Sequence, residues 1–360
     1  MSTLTVITIF LLLAVSSASS HEASLKKESI EKYNKRMQWF AQAQFGMFIH
    51  FGLYSQAGGI WEGQKVKGYT EWIQSKHKIK KEEYAQLLKT FNPSRFDADF
   101  IVSMAKQAGM KYLIITSKHH EGFCLWNSRY TEYDVASTPF KGRDILGELN
   151  NACKKHGLKF GLYYSIIDWH HPAQSGLDFH NQMVKGRKQE YLDYQNNQIR
   201  ELIKRYDPAI LWFDGDWAKW WTIQNGIDLY NTIRNASSEI IVNNRVAKRK
   251  IFELDYVTQE QNHFKNSFSK HWEACYTMNK SWGYSKHDSN WKTPETIYNK
   301  LKDINHKGGN LLLNVGPDGN GDIPPEAIAI LKDSAKLLQA KPISKNIPKI
   351  TEVPGIRQTL

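Results

Sequence analysis

Eight short runs of apolar, β-branched or aromatic residues punctuate the chain and predict strands. They are Phe45–Phe51, Tyr112–Thr116, Phe160–Ser165, Ile210–Phe213, Ile240–Asn243, Asp255–Val257, Trp272–Tyr276 and Asn310–Val315. Several are almost continuously apolar, the pattern of parallel strands buried on both faces. Helical spacing recurs between most of them. Asp97–Ala108 repeats apolar residues at Phe100, Ile101, Met104 and Ala108, and Asp144–His156 and Tyr191–Tyr206 do likewise. Pro294–His306 opens with proline, which is preorganised for a helix start. Strand alternating with helix eight times predicts a (β/α)₈ barrel of the TIM type, irregular around strands five to seven, where the segments are short or loop-like. A doubly wound sheet is the structural alternative, but no G-x-G-x-x-G follows the first strand.

In such a barrel, chemistry gathers at the C-terminal ends of the strands. Polar groups stand at six of those ends: His50, the Lys118-His119-His120-Glu121 run, Tyr163-Tyr164-Ser165, Asp214, Asn243-Asn244-Arg245 and Gln259-Glu260. Asp214 follows Leu211-Trp212-Phe213 and precedes Gly215. A carboxylate ending a buried strand is costly unless paired, hydrogen-bonded or functional. The ordinary alternative is a helix cap or turn aspartate. Asp216 competes for the role but, two residues on, is expected to be solvated. Glu260 reads as a second acid or as a surface glutamate. Glu273, between apolar neighbours on a strand, is the rival acid, since burial raises a carboxyl pKa.

His119 and His120 form a poor chelate if both lie on a strand, where adjacent side chains face opposite ways. No third ligand with metal spacing accompanies them, so neither metal nor cofactor is expected. Imidazoles donating to sugar hydroxyls fit better. There is no G-x-S-x-G and no P-loop.

Composition adds three constraints. Hydrophobic residues make up 41% and charged residues 23%, an ordinary globular balance. The three cysteines, Cys124, Cys153 and Cys275, match no zinc or C-x-x-C spacing and read as buried apolar fillers. The net charge of +12 leaves two readings open: contact with polyanions such as sulfated polysaccharide, or a generic lysine surface with short clusters at Lys76–Lys81 and Lys248–Lys250. Tryptophans adjoin acids (Trp61-Glu62, Glu71-Trp72, Asp216-Trp217) rather than basic residues, which argues against nucleic acid.

Residues 1–20 carry no charge, and Val6–Val15 form a ten-residue run ahead of small residues. This predicts a signal peptide over 1–20, hence a secreted or periplasmic protein, because the run is too short to span about 30 Å of hydrocarbon. The barrel is expected over residues 21–340 and a tail rich in Pro and Lys over 341–360. Two glycosylation sequons begin at Asn235 and Asn279. Nothing in the sequence assigns an oligomeric state.

Five stretches taken in order resemble the α-L-fucosidases of glycoside hydrolase family 29. They are Phe45–Gly52 (FGMFIHFG), Lys118–Phe123 (KHHEGF), Leu211–Gly215 (LWFDG), Ser281–Tyr284 (SWGY) and Gly308–Pro317 (GGNLLLNVGP). The resemblance runs from about Trp39 to Ala340. It implies a retaining exo-glycosidase acting on fucosylated glycans, with Asp214 as nucleophile and Glu260 as acid/base. Some members place the acid elsewhere, which keeps Glu273 in view. It further implies that His50, His119, His120, Tyr164 and Arg245 bind the fucose hydroxyls. Glu71 and Trp72 form another binding pair, with Trp61-Glu62 as its competitor. Trp212, beside Asp214, is placed to flank and bind the sugar, and Trp282 resembles the aromatic residue that faces the sugar methyl. Related specificities (an α-L-galactoside, a sulfated fucan) and a non-catalytic fucose-binding barrel are the alternatives. Members usually continue into a C-terminal β-sandwich, which is not expected here.

Overall fold

The structure, a computed structural model, describes residues 24–355. The expected signal peptide and residues 356–360 of the tail lie outside them. Eight parallel strands form the centre: β1 Phe45–Ile49, β2 Tyr112–Lys118, β3 Lys159–Ser165, β4 Ile210–Asp214, β5 Ile241–Val242, β6 Val257–Glu260, β7 Trp272–Thr277 and β8 Asn310–Val315. They are hydrogen-bonded in the order β6-β7-β8-β1-β2-β3-β4-β5. A single parallel bridge, Asn243 to Tyr256, joins the two ends and closes the barrel.

Seven longer helices surround or cap it: α1 Ile30–Ala43, α2 Ala98–Gln107, α3 Ile145–His156, α4 Lys188–Tyr206, α5 Ile223–Ala236, α6 Pro294–His306 and α7 Pro325–Ala340. Their starts are written in the sequence. Asp97 and Asp144 accept from Phe100 N and Gly147 N, and Thr293 caps the helix that opens at Pro294. The expected irregularity is real: β5 and β6 are each followed by a loop without a longer helix.

Strand alternation sorts side chains into two cores. Phe45, Met47 and Ile49 of β1, Leu162 and Tyr164 of β3, and Leu211 and Phe213 of β4 face the helix layer. Phe48, Tyr163, Ile210, Trp212, Cys275 and Leu312 face the barrel interior. The three cysteines are buried and unbridged. Below, α1 plugs the barrel floor, with the Phe40 ring 4.5 Å from that of Tyr256. Gly46 is needed at the lowest layer, since a Cβ there would lie 2.4 Å from the Tyr112 ring.

Strand six begins at Val257 rather than at the expected Asp255. Asp255 takes φ 56°, which breaks the extended run. Its carboxylate instead accepts from Val242 N at 2.7 Å and from Tyr230 Oη at 3.1 Å, and pairs with Arg36 Nη2 at 2.8 Å. Burial opposes ionisation of Asp255, but Arg36 and Arg234 outweigh it and hold the carboxyl below its usual range. A side chain thus supplies hydrogen bonds that the short β5–β6 ladder lacks. Residues 341–355 form no helix or strand, yet they are anchored under the barrel. Lys345 Nζ donates to Ala41 O at 2.6 Å, Asn346 N to Asn305 O at 3.1 Å, and Glu253 N to Gly355 O at 3.1 Å.

Arg36→Ala should strand the buried Asp255 carboxylate and cost about 3–5 kcal/mol of folding stability. Urea denaturation checks this, and a loss below about 1 kcal/mol would deny the seam its brace.

Candidate active site

A cavity of about 800 Å³ opens at the C-terminal ends of the strands. His50, Glu71, Trp72, His119, His120, Trp212, Asp214, Arg245, Glu260 and Trp282 line it. Asp214 ends β4 on the same inward face as Ile210 and Trp212. Glu260 ends β6 and is exposed at the mouth.

Arg245 joins the two acids. Its Nη1 lies 2.8 Å from Asp214 Oδ1 and 2.9 Å from Glu260 Oε2. Sharing one nitrogen limits the two oxygens to about 6 Å apart, close to the roughly 5–5.5 Å of retaining glycosidases. The guanidinium is itself fixed: Nε donates to Thr258 Oγ1 at 2.8 Å, and its plane lies over the Trp212 ring at 4.6 Å. Arg249 Nη2 reaches Asp214 Oδ1 at 3.0 Å. Burial opposes ionisation of Asp214, but Arg245 and Arg249 outweigh it and hold the carboxyl below its usual range. It is therefore ionised at neutral pH.

Second partners fix the histidine tautomers. Asn314 gives its amide hydrogen to Trp282 O at 2.7 Å, so its oxygen faces His50 Nδ1, also at 2.7 Å. Ser165 gives its hydroxyl hydrogen to Ile167 O, so its oxygen faces His120 Nδ1 at 2.6 Å. Nδ1 is then the donor in both rings, leaving Nε2 as an acceptor. Burial depresses His50 to about 3 and His120 to about 4, so both rings are neutral. Each ring thus donates through Nδ1 to the protein and keeps Nε2 as an acceptor. Three lining residues also carry a buried polar atom without a partner among the described residues: Glu71 Oε1, His119 Nδ1 and Trp217 Nε1. Orphaned atoms beside a cavity mark a place for a polar ligand.

Four expectations change. His119 and His120 both line the cavity, because β2 ends at Lys118 after a register shift and strand alternation no longer applies. Tyr164 does not line it: its hydroxyl donates to Gln198 Oε1 at 2.7 Å in the helix layer, and Tyr163 faces the cavity instead. Asp216 is buried rather than solvated, accepting from Arg249 Nε at 2.8 Å and Arg249 N at 3.0 Å. Glu273 sits one layer beneath the cavity, receiving Tyr112 Oη at 2.6 Å and Trp212 Nε1 at 2.9 Å, outside the set of lining residues. The competitor Trp61 is also outside, donating to Glu83.

Sequence reasoning missed Tyr69, Tyr163, Phe179, Lys248 and Arg249 as lining residues. The Lys248–Lys250 cluster lies at this wall, but Lys248 donates to Asp216 O and Ala218 O, and Arg249 is paired with Asp216. Two of its three cations serve the site itself rather than a free polyanion surface. Among the described residues no helix is long and apolar enough to cross a membrane.

A family profile described as alpha-L-fucosidase matches residues 11–341. The chain belongs to that family. It is 31% identical over 307 residues to the plasma alpha-L-fucosidase of Pongo abelii, covering 79% of this chain and 64% of the relative. It is 30% identical to the alpha-L-fucosidase of Dictyostelium discoideum, covering 79% and 66%. The matched part thus spans less than two thirds of either relative. The fold is shared with solved members of the family. Unliganded alpha-L-fucosidase AlfC from Lactobacillus casei superposes with a TM-score of 0.75 at 37% identity, covering 85% of this chain and 98% of that one. A trapped covalent intermediate of the Bacteroides thetaiotaomicron enzyme, with 2-fluoro-fucosyl fluoride, gives 0.80 at 32% identity, covering 89% and 76%.

Burial lifts the Glu273 carboxyl from 4.5 to about 7, against hydrogen bonds from Tyr112 and Trp212. Between those pH values unfolding releases its proton, so its contribution to stability falls as pH rises. Glu273→Gln removes that dependence. Relative to the native chain it should gain about 3 kcal/mol between pH 4.5 and 7.5, read from urea midpoints across that range.

Proposed function

We propose that this chain is a retaining exo-α-L-fucosidase that hydrolyses terminal α-L-fucose from glycans. The observation that carries the reading is the single Arg245 nitrogen held between Asp214 and Glu260. The activities named for the family's members, and the covalent intermediate trapped on one of them, support it.

In the first step a carboxylate oxygen of Asp214 bonds to the anomeric carbon as the bond to the leaving oxygen breaks, and Glu260 gives its proton to that oxygen. Asp214 becomes an uncharged ester. Arg245 then faces Glu260 as its remaining carboxylate partner, and Glu260, having given up its proton, is the base that takes one from the incoming water. That water attacks the same carbon and expels Asp214, so two inversions give net retention. Nε2 of His50 and of His120 accept from fucose hydroxyls, and the buried Trp282 ring supplies an apolar wall for the C6 methyl. An L-galactoside would place a hydroxyl against that wall, at the cost of an unpaired polar group. The apolar run at Val6–Val15 supports export ahead of one catalytic barrel over residues 21–340.

Asp214→Ala should lower hydrolysis of an aryl α-L-fucoside by on the order of 10³-fold or more. Azide should restore turnover by entering the vacated space and yielding the β-fucosyl azide. Undiminished turnover would refute the assignment. Arg249→Ala removes one of the two cations that keep Asp214 ionised. The acidic inflection of kcat/KM should therefore move to higher pH, with the basic limb unchanged.

A further inference from the structure

The most exposed large apolar side chain among the described residues stands at the mouth of the site. Phe179 is 67% accessible, against 52% for Ile347, 45% for Phe100 and 43% for Tyr130, and it lines the cavity. It projects from the connection after β3, at the tip of a small antiparallel hairpin that pairs Gln174–Ser175 with Gln182–Met183.

The hairpin is fixed in place. Gln174 Oε1 accepts from Asp168 N at 3.0 Å, Asn181 Oδ1 accepts from Trp220 Nε1 at 2.8 Å, and Asp178 lies 3.8 Å from Lys76. Asp178, next to the phenylalanine, takes φ 60°, a left-handed conformation unfavourable for a side chain bearing a Cβ. The chain accepts that strain and leaves a phenyl ring in water, an arrangement expected at a binding surface.

The ring belongs to a triad. Its centroid is 6.2 Å from Trp72 and 5.9 Å from Trp217, and those two lie 6.3 Å apart at 25°. Both tryptophans touch His120, at 5.2 and 5.4 Å, and His120 Nε2 is 3.8 Å from Asp214 Oδ2. An unbroken aromatic path therefore leads from the nucleophile to solvent. The buried groups at its inner end suit one fucose, so its outer end meets whatever fucose is attached to.

We propose that Phe179 is the stacking platform for the leaving-group sugar, a second pyranose whose C–H face lies on the phenyl ring. This rests on the fucosidase reading. Such a contact adds apolar burial without charge and stabilises the transition state only for substrates that carry the second ring.

The test compares α-L-fucosyl fluoride, which has no leaving sugar, with a fucosyl disaccharide. Phe179→Ala should lower kcat/KM for the disaccharide by about tenfold and leave the fluoride within about twofold. Phe179→Tyr, which keeps a ring, should restore the disaccharide to within about twofold. Equal losses on both substrates, or no loss on the disaccharide, would overturn the proposal. A native chain inactive on the fluoride would instead overturn the fucosidase reading, so the two failures are distinguishable.

Discussion

The site depends on a guanidinium buried between two acids. Asp214 ends a strand inside the barrel, where an isolated carboxylate would take up a proton and lose its charge. Arg245 prevents that, and it does so at a fixed place because Thr258 holds one edge of its plane and Trp212 lies against its face. Trp212 is held in turn by Glu273, Glu273 by Tyr112, and the Tyr112 ring occupies the space left by Gly46 above the α1 plug. The reactive layer thus stands on a column of inward side chains reaching to the barrel floor. Glu273 resembles a catalytic acid in sequence, but its place is within that column.

Much of this is legible in the sequence. Near-continuous apolar runs marked the strands, because strands buried on both faces leave little choice of residue. Asp214 and Glu260 stood out because polar groups at strand ends are conspicuous against such runs. The remaining errors have local causes. Tyr163 and Tyr164 are adjacent and chemically alike, and only the strand's register decides which one faces inward. The two histidines share a face because the strand stops one residue before them. Asp216 is buried by Arg249, a partner 33 positions away that no local pattern announces. Phe179 lies outside any apolar run, and its meaning comes from its exposure beside a cavity.

The closure of the barrel shows the same division of labour. Between β5 and β6 the ladder shrinks to one bridge, and Asp255 with Arg36 replaces what the backbone omits. A carboxylate in a left-handed turn fits poorly with any strand pattern, so the sixth run misled at the point where a side chain had taken over from main-chain pairing.

The loops that follow β5 and β6, without a longer helix, carry Arg245, Arg249 and the approach to Glu260. Elsewhere around the ring, each strand is followed by a longer helix. Among the described residues this flank has none. Insertions or deletions can therefore reshape this rim of the cavity without disturbing β4. Over evolutionary time, one side of the cavity mouth can drift while Asp214 stays put.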